Sequence, residues 1–245
     1  MTKTSDGIRY LTGTSNILVI APHGPLIKGS YQNDIRTGII AEGLHQQLGC
    51  YAIINDNYFK PKGEIKKDAS RYLLDVFRVD HARKVPGYLE KIRETVECAG
   101  KTIVIWIHGI ADDVAVTQGQ LHGEQNLFIG KASDLHALIG FGQGGNPKTG
   151  NQEDQLSARP ATVEALAFQL SSYGMTTVPT WREGGNFRGR DTKRLNQWFN
   201  KLGHSFDTVE SIQLEIKEKG FRDSDTNACK TSHIIARALT ETLRN

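Results

Sequence analysis

Asn16-Ile-Leu-Val-Ile-Ala-Pro22-His23-Gly24 is a run of large apolar residues that stops abruptly on a proline, a histidine and a glycine. Thr102-Ile-Val-Ile-Trp-Ile-His108-Gly109 repeats the pattern further along the chain. Runs this long, rich in β-branched residues and apolar at successive positions, describe strands covered on both faces. Tyr51 to Asn55, Met175 to Pro179 and Ser211 to Ile216 read in the same way. Between them the apolar period becomes helical. Ile35, Ile39, Ile40, Leu44 and Leu48 share one face, which predicts a helix from about Asp34 to Gln47 that ends near Gly49. Pro86 to Glu97, with Pro86 in the first turn, Thr162 to Ser171, and Ser232 to Leu243, capped by Thr231 or Ser232, are further helices. Strands alternating with helices predict an α/β fold, a three-layer αβα sandwich around a mostly parallel or mixed sheet. At 245 residues the chain is expected to form one domain, residues 1–245, with a substantial core.

In open α/β sheets ligands bind beyond the carboxyl ends of the strands. His23 and His108 both stand there, each followed by a glycine that lets the backbone approach closely. A histidine at a strand end serves either as a hydrogen-bonded loop residue or as a ligand. Two at one sheet edge can reach one metal, and catalytic zinc sites take His nitrogen and carboxylate oxygen from three protein ligands. The last strand, Ser211-Ile-Gln-Leu-Glu215-Ile, carries an acid on the same face as Ser211 and Gln213. A carboxylate in such a run needs a cation or donors nearby. A salt bridge to an arginine and a catalytic role both meet that need.

Together, Pro22-His23-Gly24, Thr37-Gly38, Ser70-Arg71-Tyr72-Leu-Leu-Asp75-Val-Phe-Arg78, His108-Gly109, Asn126-Leu-Phe-Ile-Gly130, the Gly184 to Arg190 segment and Gln213-Leu-Glu215-Ile resemble the N-formylglutamate amidohydrolase family in order and spacing. That family resembles zinc carboxypeptidases in fold and site logic. The resemblance implies that His23 and His108 ligate zinc and that Glu215 is the general base that activates water and returns the proton. It further implies that Arg78 binds the substrate carboxylate, where a planar guanidinium grips both oxygens. Arg188 and Arg71, in matching segments, are additional substrate-binding candidates.

Three departures from the family stand out. Phe77 stands beside Arg78 where relatives often have asparagine, Trp106 stands two residues before His108 where relatives often have aspartate, and Lys28 stands five residues after His23 where some related poly-γ-glutamate hydrolases have glutamate. Asp34, at the start of the Thr37-Gly38 helix, is the expected substitute as carboxylate ligand, with Asp112 and Asp113, just after His108, in reserve. The implied activity is zinc-dependent hydrolysis of an amide bond in a small carboxylate-bearing substrate, an N-acyl amino acid or a short or γ-glutamyl peptide. The alternative is a non-catalytic carboxylate-binding module of the same fold without the metal. A serine hydrolase is disfavoured, since no Gly-x-Ser-x-Gly follows any expected strand.

Composition narrows the partners. The chain is 38% hydrophobic and 23% charged, with a net charge of +3 and no basic stripe of the kind nucleic-acid binders carry. No apolar run reaches the length of a membrane span, and the N-terminal residues lack a secretory pattern, so a cytoplasmic setting is expected. Cys50, Cys98 and Cys229 follow no metal or redox spacing and are read as buried or semi-buried thiols. His45, His122, His136, His204 and His233 are read as structural or surface residues, and His81 as a possible pocket residue. The Gly-rich stretch from Phe141 to Gln155 reads as a surface loop.

Overall fold

The computed structural model describes residues 2–3, 7–23, 31–32, 34–58, 60–61, 74–112, 115–119, 128–131, 135–142, 155–179 and 193–244. Strands β1 (Thr2–Lys3), β2 (Ile8–Leu11), β3 (Ile17–Ala21), β4 (Tyr31–Gln32), β5 (Tyr51–Asn55) and β6 (Lys60–Pro61) occupy the first part of the chain. β7 (Thr102–Ile110), β8 (Ala115–Gly119), β9 (Phe128–Lys131), β10 (Ala137–Gly140), β11 (Thr177–Pro179) and β12 (Val209–Lys217) follow. The helices are α1 (Thr37–Leu48), α2 (Val79–Ala82), α3 (Tyr88–Ala99), α4 (Pro160–Ser172), α5 (Trp198–Lys201) and α6 (Asp225–Arg244), with a 3₁₀ turn at Leu195–Gln197.

The main sheet has eight strands in the order β1-β2-β5-β3-β7-β12-β10-β11. Its centre, β5, β3, β7 and β12, is parallel. β2 runs antiparallel to β5 on one side, and β10 runs antiparallel to β12 on the other, so the sheet is mixed. Alternation along each central strand feeds two cores. Val19, Ile105, Ile107, Leu214 and Ile216 face α1, α4 and α6, while Leu18, Ile20, Val104 and Trp106 face α3, α5 and the 3₁₀ turn. This two-sided burial explains why the central strands are apolar at nearly every position. The arrangement is the expected αβα sandwich.

Several boundaries differ from expectation, each for a local reason. The first helix begins at Thr37 and not at Asp34, because Arg36 adopts a left-handed φ of 64° that no helix continues through. The helix expected from Pro86 begins at Tyr88, since Gly87 at its N-cap has φ 73°. The final helix begins at Asp225, ahead of the expected Ser232. Thr231 and Ser232 cap nothing; they lie buried within α6, where their hydroxyls donate to the carbonyls of Phe221 and Cys229. β2 and β10 were not anticipated, being only four residues each. Among the thiols, Cys50 is buried as expected, whereas Cys98 and Cys229 are exposed. Most of the Phe141 to Gln155 stretch lies outside the described residues.

Candidate metal centre

β3 delivers His23 to the carboxyl edge of the sheet, and Pro22 ends the ladder there. The turn is pinned by Asn55 at the end of the neighbouring β5. Its amide donates to the carbonyls of Pro22 (2.6 Å) and Tyr58 (2.8 Å). The Asp34 N–H donates to the carbonyl of His23 at 2.9 Å. β7 supplies His108. The three side chains are buried and converge: His23 Nδ1 and His108 Nδ1 lie 3.1 Å and 3.0 Å from the same Asp34 Oδ2. Ligand atoms of all three fall within 4.8 Å of one another. Two imidazole nitrogens and a carboxylate oxygen form the donor set that zinc prefers, and a spacing of about 3 Å suits donors that bind one small ion at roughly 2.0–2.2 Å. The residues present therefore fit a metal ion.

Sequence comparison is silent here: no family model matches the chain, and a search of curated proteins finds no match. Solved structures are informative. The N-formylglutamate amidohydrolase of Ralstonia eutropha JMP134 is similar over 98% of both chains, with a TM-score of 0.57 at 10% identity. The gene product Atu2144 of Agrobacterium tumefaciens is similar over 98% of this chain and 96% of its own, with a TM-score of 0.58 at 10% identity. A putative carboxypeptidase from Burkholderia mallei aligns with 97% of this chain but 59% of its own, with a TM-score of 0.54 at 12% identity. The chain has the fold of the amidohydrolase and the carboxypeptidase. That shared fold puts the carboxyl edge of the parallel strands, where His23, Asp34 and His108 meet, in the place where such sheets bind ligands.

The electrostatics of the cluster follow from its burial. Burial alone disfavours the charged form of His23, but the Asp34 carboxylate and, after it, Asp75 outweigh that and bring its pKa up to about 9. Burial likewise opposes ionisation of Asp34, yet His23 and His108 hold it well below the usual carboxylate range. An ionised carboxylate only accepts hydrogen bonds, so the ring nitrogens of His23 and His108 that face Asp34 are the donors of these two bonds. His23 Nε2 is 2.8 Å from Asp75 Oδ1, and Arg194 Nη1 holds Asp75 Oδ2 at 2.5 Å. His81 Nδ1 accepts from the Asp75 N–H at 2.9 Å, a role that suits a neutral ring whose pKa burial lowers. A carboxylate behind a ligating imidazole fixes its tautomer and orientation. Sequence alone points to neither Asp75 nor Arg194 as a site residue: Asp75 lies within the stretch from Ser70 to Arg78, whereas nothing in the sequence around Arg194 marks it.

Glu215 is buried on β12 in register with His108 of β7, so the two side chains share a sheet face. Gln213, two residues earlier on that face, donates to Glu215 Oε1. Arg78 lies at the N-cap of α2, partly exposed, where its guanidinium forks onto Asp80 at 3.0 and 2.9 Å. Phe77 and Trp106, two of the departures from the family pattern, are in contact, with ring centroids 5.1 Å apart. Phe77 also lies edge-on to His108 at 4.4 Å, and the Trp106 indole N–H donates to Ser211 Oγ. The two changes thus form one aromatic wall behind the histidines. Asp112 is not in the cluster; its carboxylate accepts from the N–H groups of Glu218 and Lys219 in the turn after β12. Arg71, Arg188, Lys28 and Asp113 lie outside the described residues. No helix among the described residues is long and apolar enough to cross a membrane.

Proposed function

We propose that this protein is a zinc-dependent hydrolase that cleaves an amide bond in a small carboxylate-bearing substrate. The observation that carries the reading is the buried convergence of His23, Asp34 and His108 at the carboxyl edge of the sheet, with Glu215 one strand away in register with His108. The fold shared with an N-formylglutamate amidohydrolase and with putative carboxypeptidases supports hydrolysis of a C–N bond.

His23, His108 and Asp34 would hold the ion, and Asp75 would keep the His23 ring oriented through Nε2. The bound ion supplies a Lewis acid that polarises the scissile carbonyl and favours ionisation of water near neutral pH. Glu215 takes the proton of the attacking water and passes it to the departing amine. Arg78 receives the substrate carboxylate, which orients the amide for attack. Its present partner, Asp80, is an exposed carboxylate in a weak pair, so an incoming anion can take its place. Arg188 and Arg71 are assigned to the same anion. N-acyl amino acids and short or γ-glutamyl peptides are the substrates to screen.

Metal content by elemental analysis tests the proposal. About one zinc per chain in the wild type, lost in both His23→Ala and His108→Ala, is the expected result. No metal in a wild type incubated with zinc would leave the shared fold as a non-catalytic carboxylate-binding module.

A further inference from the structure

Arg222 lies in the turn between β12 and α6 and is only 4% exposed. Among the described residues its guanidinium meets no carboxylate; it donates to three main-chain carbonyls. Nε reaches Ile216 at 2.9 Å, Nη2 reaches Ile110 at 3.0 Å and Nη1 reaches Ile35 at 3.3 Å. These carbonyls are not a random set. Ile35 follows Asp34, Ile216 follows Glu215, and Ile110 stands two residues beyond His108. One planar group therefore touches the three chain segments that carry two metal donors and the proposed base.

The neighbouring residues are built around this contact. Gly109 follows His108, and a Cβ there would overlap Cζ and Nη2 of Arg222, so the glycine leaves room for the guanidinium. Arg36 closes the arrangement from the other side. Its Nη1 donates to the Arg222 carbonyl at 3.2 Å and its Nε to Asp225 at 2.6 Å, which holds a left-handed backbone next to Ile35. β7 and β12 already pair with each other up to Ile110 and Lys217. The segment at residues 34–36 belongs to neither strand. The bond to Ile35 is thus where the guanidinium ties the Asp34 segment to the strand ends that carry His108 and Glu215. Burying a guanidinium is costly, and an apolar side chain of similar volume would fill the space without that cost. What the apolar side chain lacks is a rigid fork of donors that fixes three backbones at once.

We propose that Arg222 is the positioning residue of the metal centre: it sets the Asp34 segment against the ends of β7 and β12, so that the donors stand at the spacing a single ion needs. This rests on the metal-site reading above. The test compares full-length wild type with Arg222→Met, Arg222→Lys and Gly109→Ala, with Leu170→Ala in α4 as a variant that loses stability away from the site. Zinc affinity is measured by competition with a chromophoric chelator, and donor geometry from the absorption spectrum of the cobalt(II)-loaded protein. Arg222→Met is expected to weaken zinc binding roughly 10- to 100-fold and to shift the cobalt bands. Gly109→Ala is expected to do the same by displacing the guanidinium, and to add little in the Arg222→Met background. Arg222→Lys should restore part of the affinity, and Leu170→Ala should alter neither readout. If Arg222→Met does not fold, Gly109→Ala and Arg222→Lys decide the matter. Wild-type affinity and an unchanged spectrum in the folded Arg222 and Gly109 variants overturn the inference alone. A wild type that binds neither zinc nor cobalt removes the metal reading and this inference with it.

Discussion

Glu215 and Asp75 are both buried carboxylates, and their neighbours suit them to different work. Asp75 is committed on both oxygens, to His23 and to Arg194, and its backbone is held by His81. Such a group orients and does not move protons. Asp75→Asn should therefore weaken zinc binding roughly 10- to 100-fold, read by the same chelator competition; unchanged affinity would remove it from the site. Glu215 stands beside His108 without ligating in the cluster. Glu215→Gln should keep zinc while turnover on an N-acyl amino acid falls about 10²- to 10⁴-fold, and full activity would refute its role as base. His23 and His108 were legible because a strand that ends in His-Gly is visible in one dimension. Asp34 was legible only through its place at the start of the Thr37-Gly38 helix, and the structure puts its carboxylate between the two rings. Arg194 and Arg222 were illegible, since Asp75, which Arg194 holds, and Ile35 and Ile110, which Arg222 ties to the strand ends, lie more than a hundred residues away in sequence.

At the scale of elements, apolar runs identified the central parallel strands because burial on both faces leaves little else for those residues to do. β2 and β10 escaped because short edge-side strands carry too few residues to establish a period. The first turns of α6 escaped for another reason: Asp225-Thr-Asn-Ala-Cys-Lys is polar and reads as a loop, yet tertiary contacts keep it helical. One contact further along α6 is unusually close. Gly43 of α1 faces Ser232 of α6, and a Cβ at 43 would overlap the serine's Oγ and Cβ. Alanine is the better helix former by about 1 kcal/mol, but the overlap costs about 1–3 kcal/mol. Gly43→Ala should thus lower Tm, and adding Ser232→Gly should recover part of the loss. A higher Tm for Gly43→Ala would mean that the two helices are not in close contact there. The thiols give a second check on element placement. Burial pushes Cys50 at the start of β5 up to about 12, whereas Cys98 and Cys229 lie exposed on α3 and α6. A thiol reagent should modify Cys98 and Cys229 in the native protein and reach Cys50 only on unfolding; rapid native labelling of Cys50 would contradict its burial.

For the molecule as a whole, the proposed metal site would couple metal, protons and stability. In the metal-free protein the pKa of His23 is raised from 6.5 to about 9, so its contribution is complete below 6.5 and is lost as the pH climbs through 9. Asp34 is shifted in the opposite direction, so its contribution is complete above 3.8 and fades as the pH falls further. Both are fully present only between those two ordinary values. A metal ion bound between the three residues would compete with the proton that His23 holds against Asp34. Loading at neutral pH should therefore release about one proton per ion, measurable by titration calorimetry in buffers of different ionisation enthalpy. The same competition makes the stabilisation by zinc grow with pH. At a free concentration about 100 times Kd the gain is about 2.7 kcal/mol, and for a chain of this length each kcal/mol raises Tm by about 2–4 °C. The rise in Tm on adding zinc should accordingly be larger at about pH 8 than at about pH 5.5. An equal rise at both pH values, with no proton released, would mean that the ion binds somewhere other than between His23, Asp34 and His108.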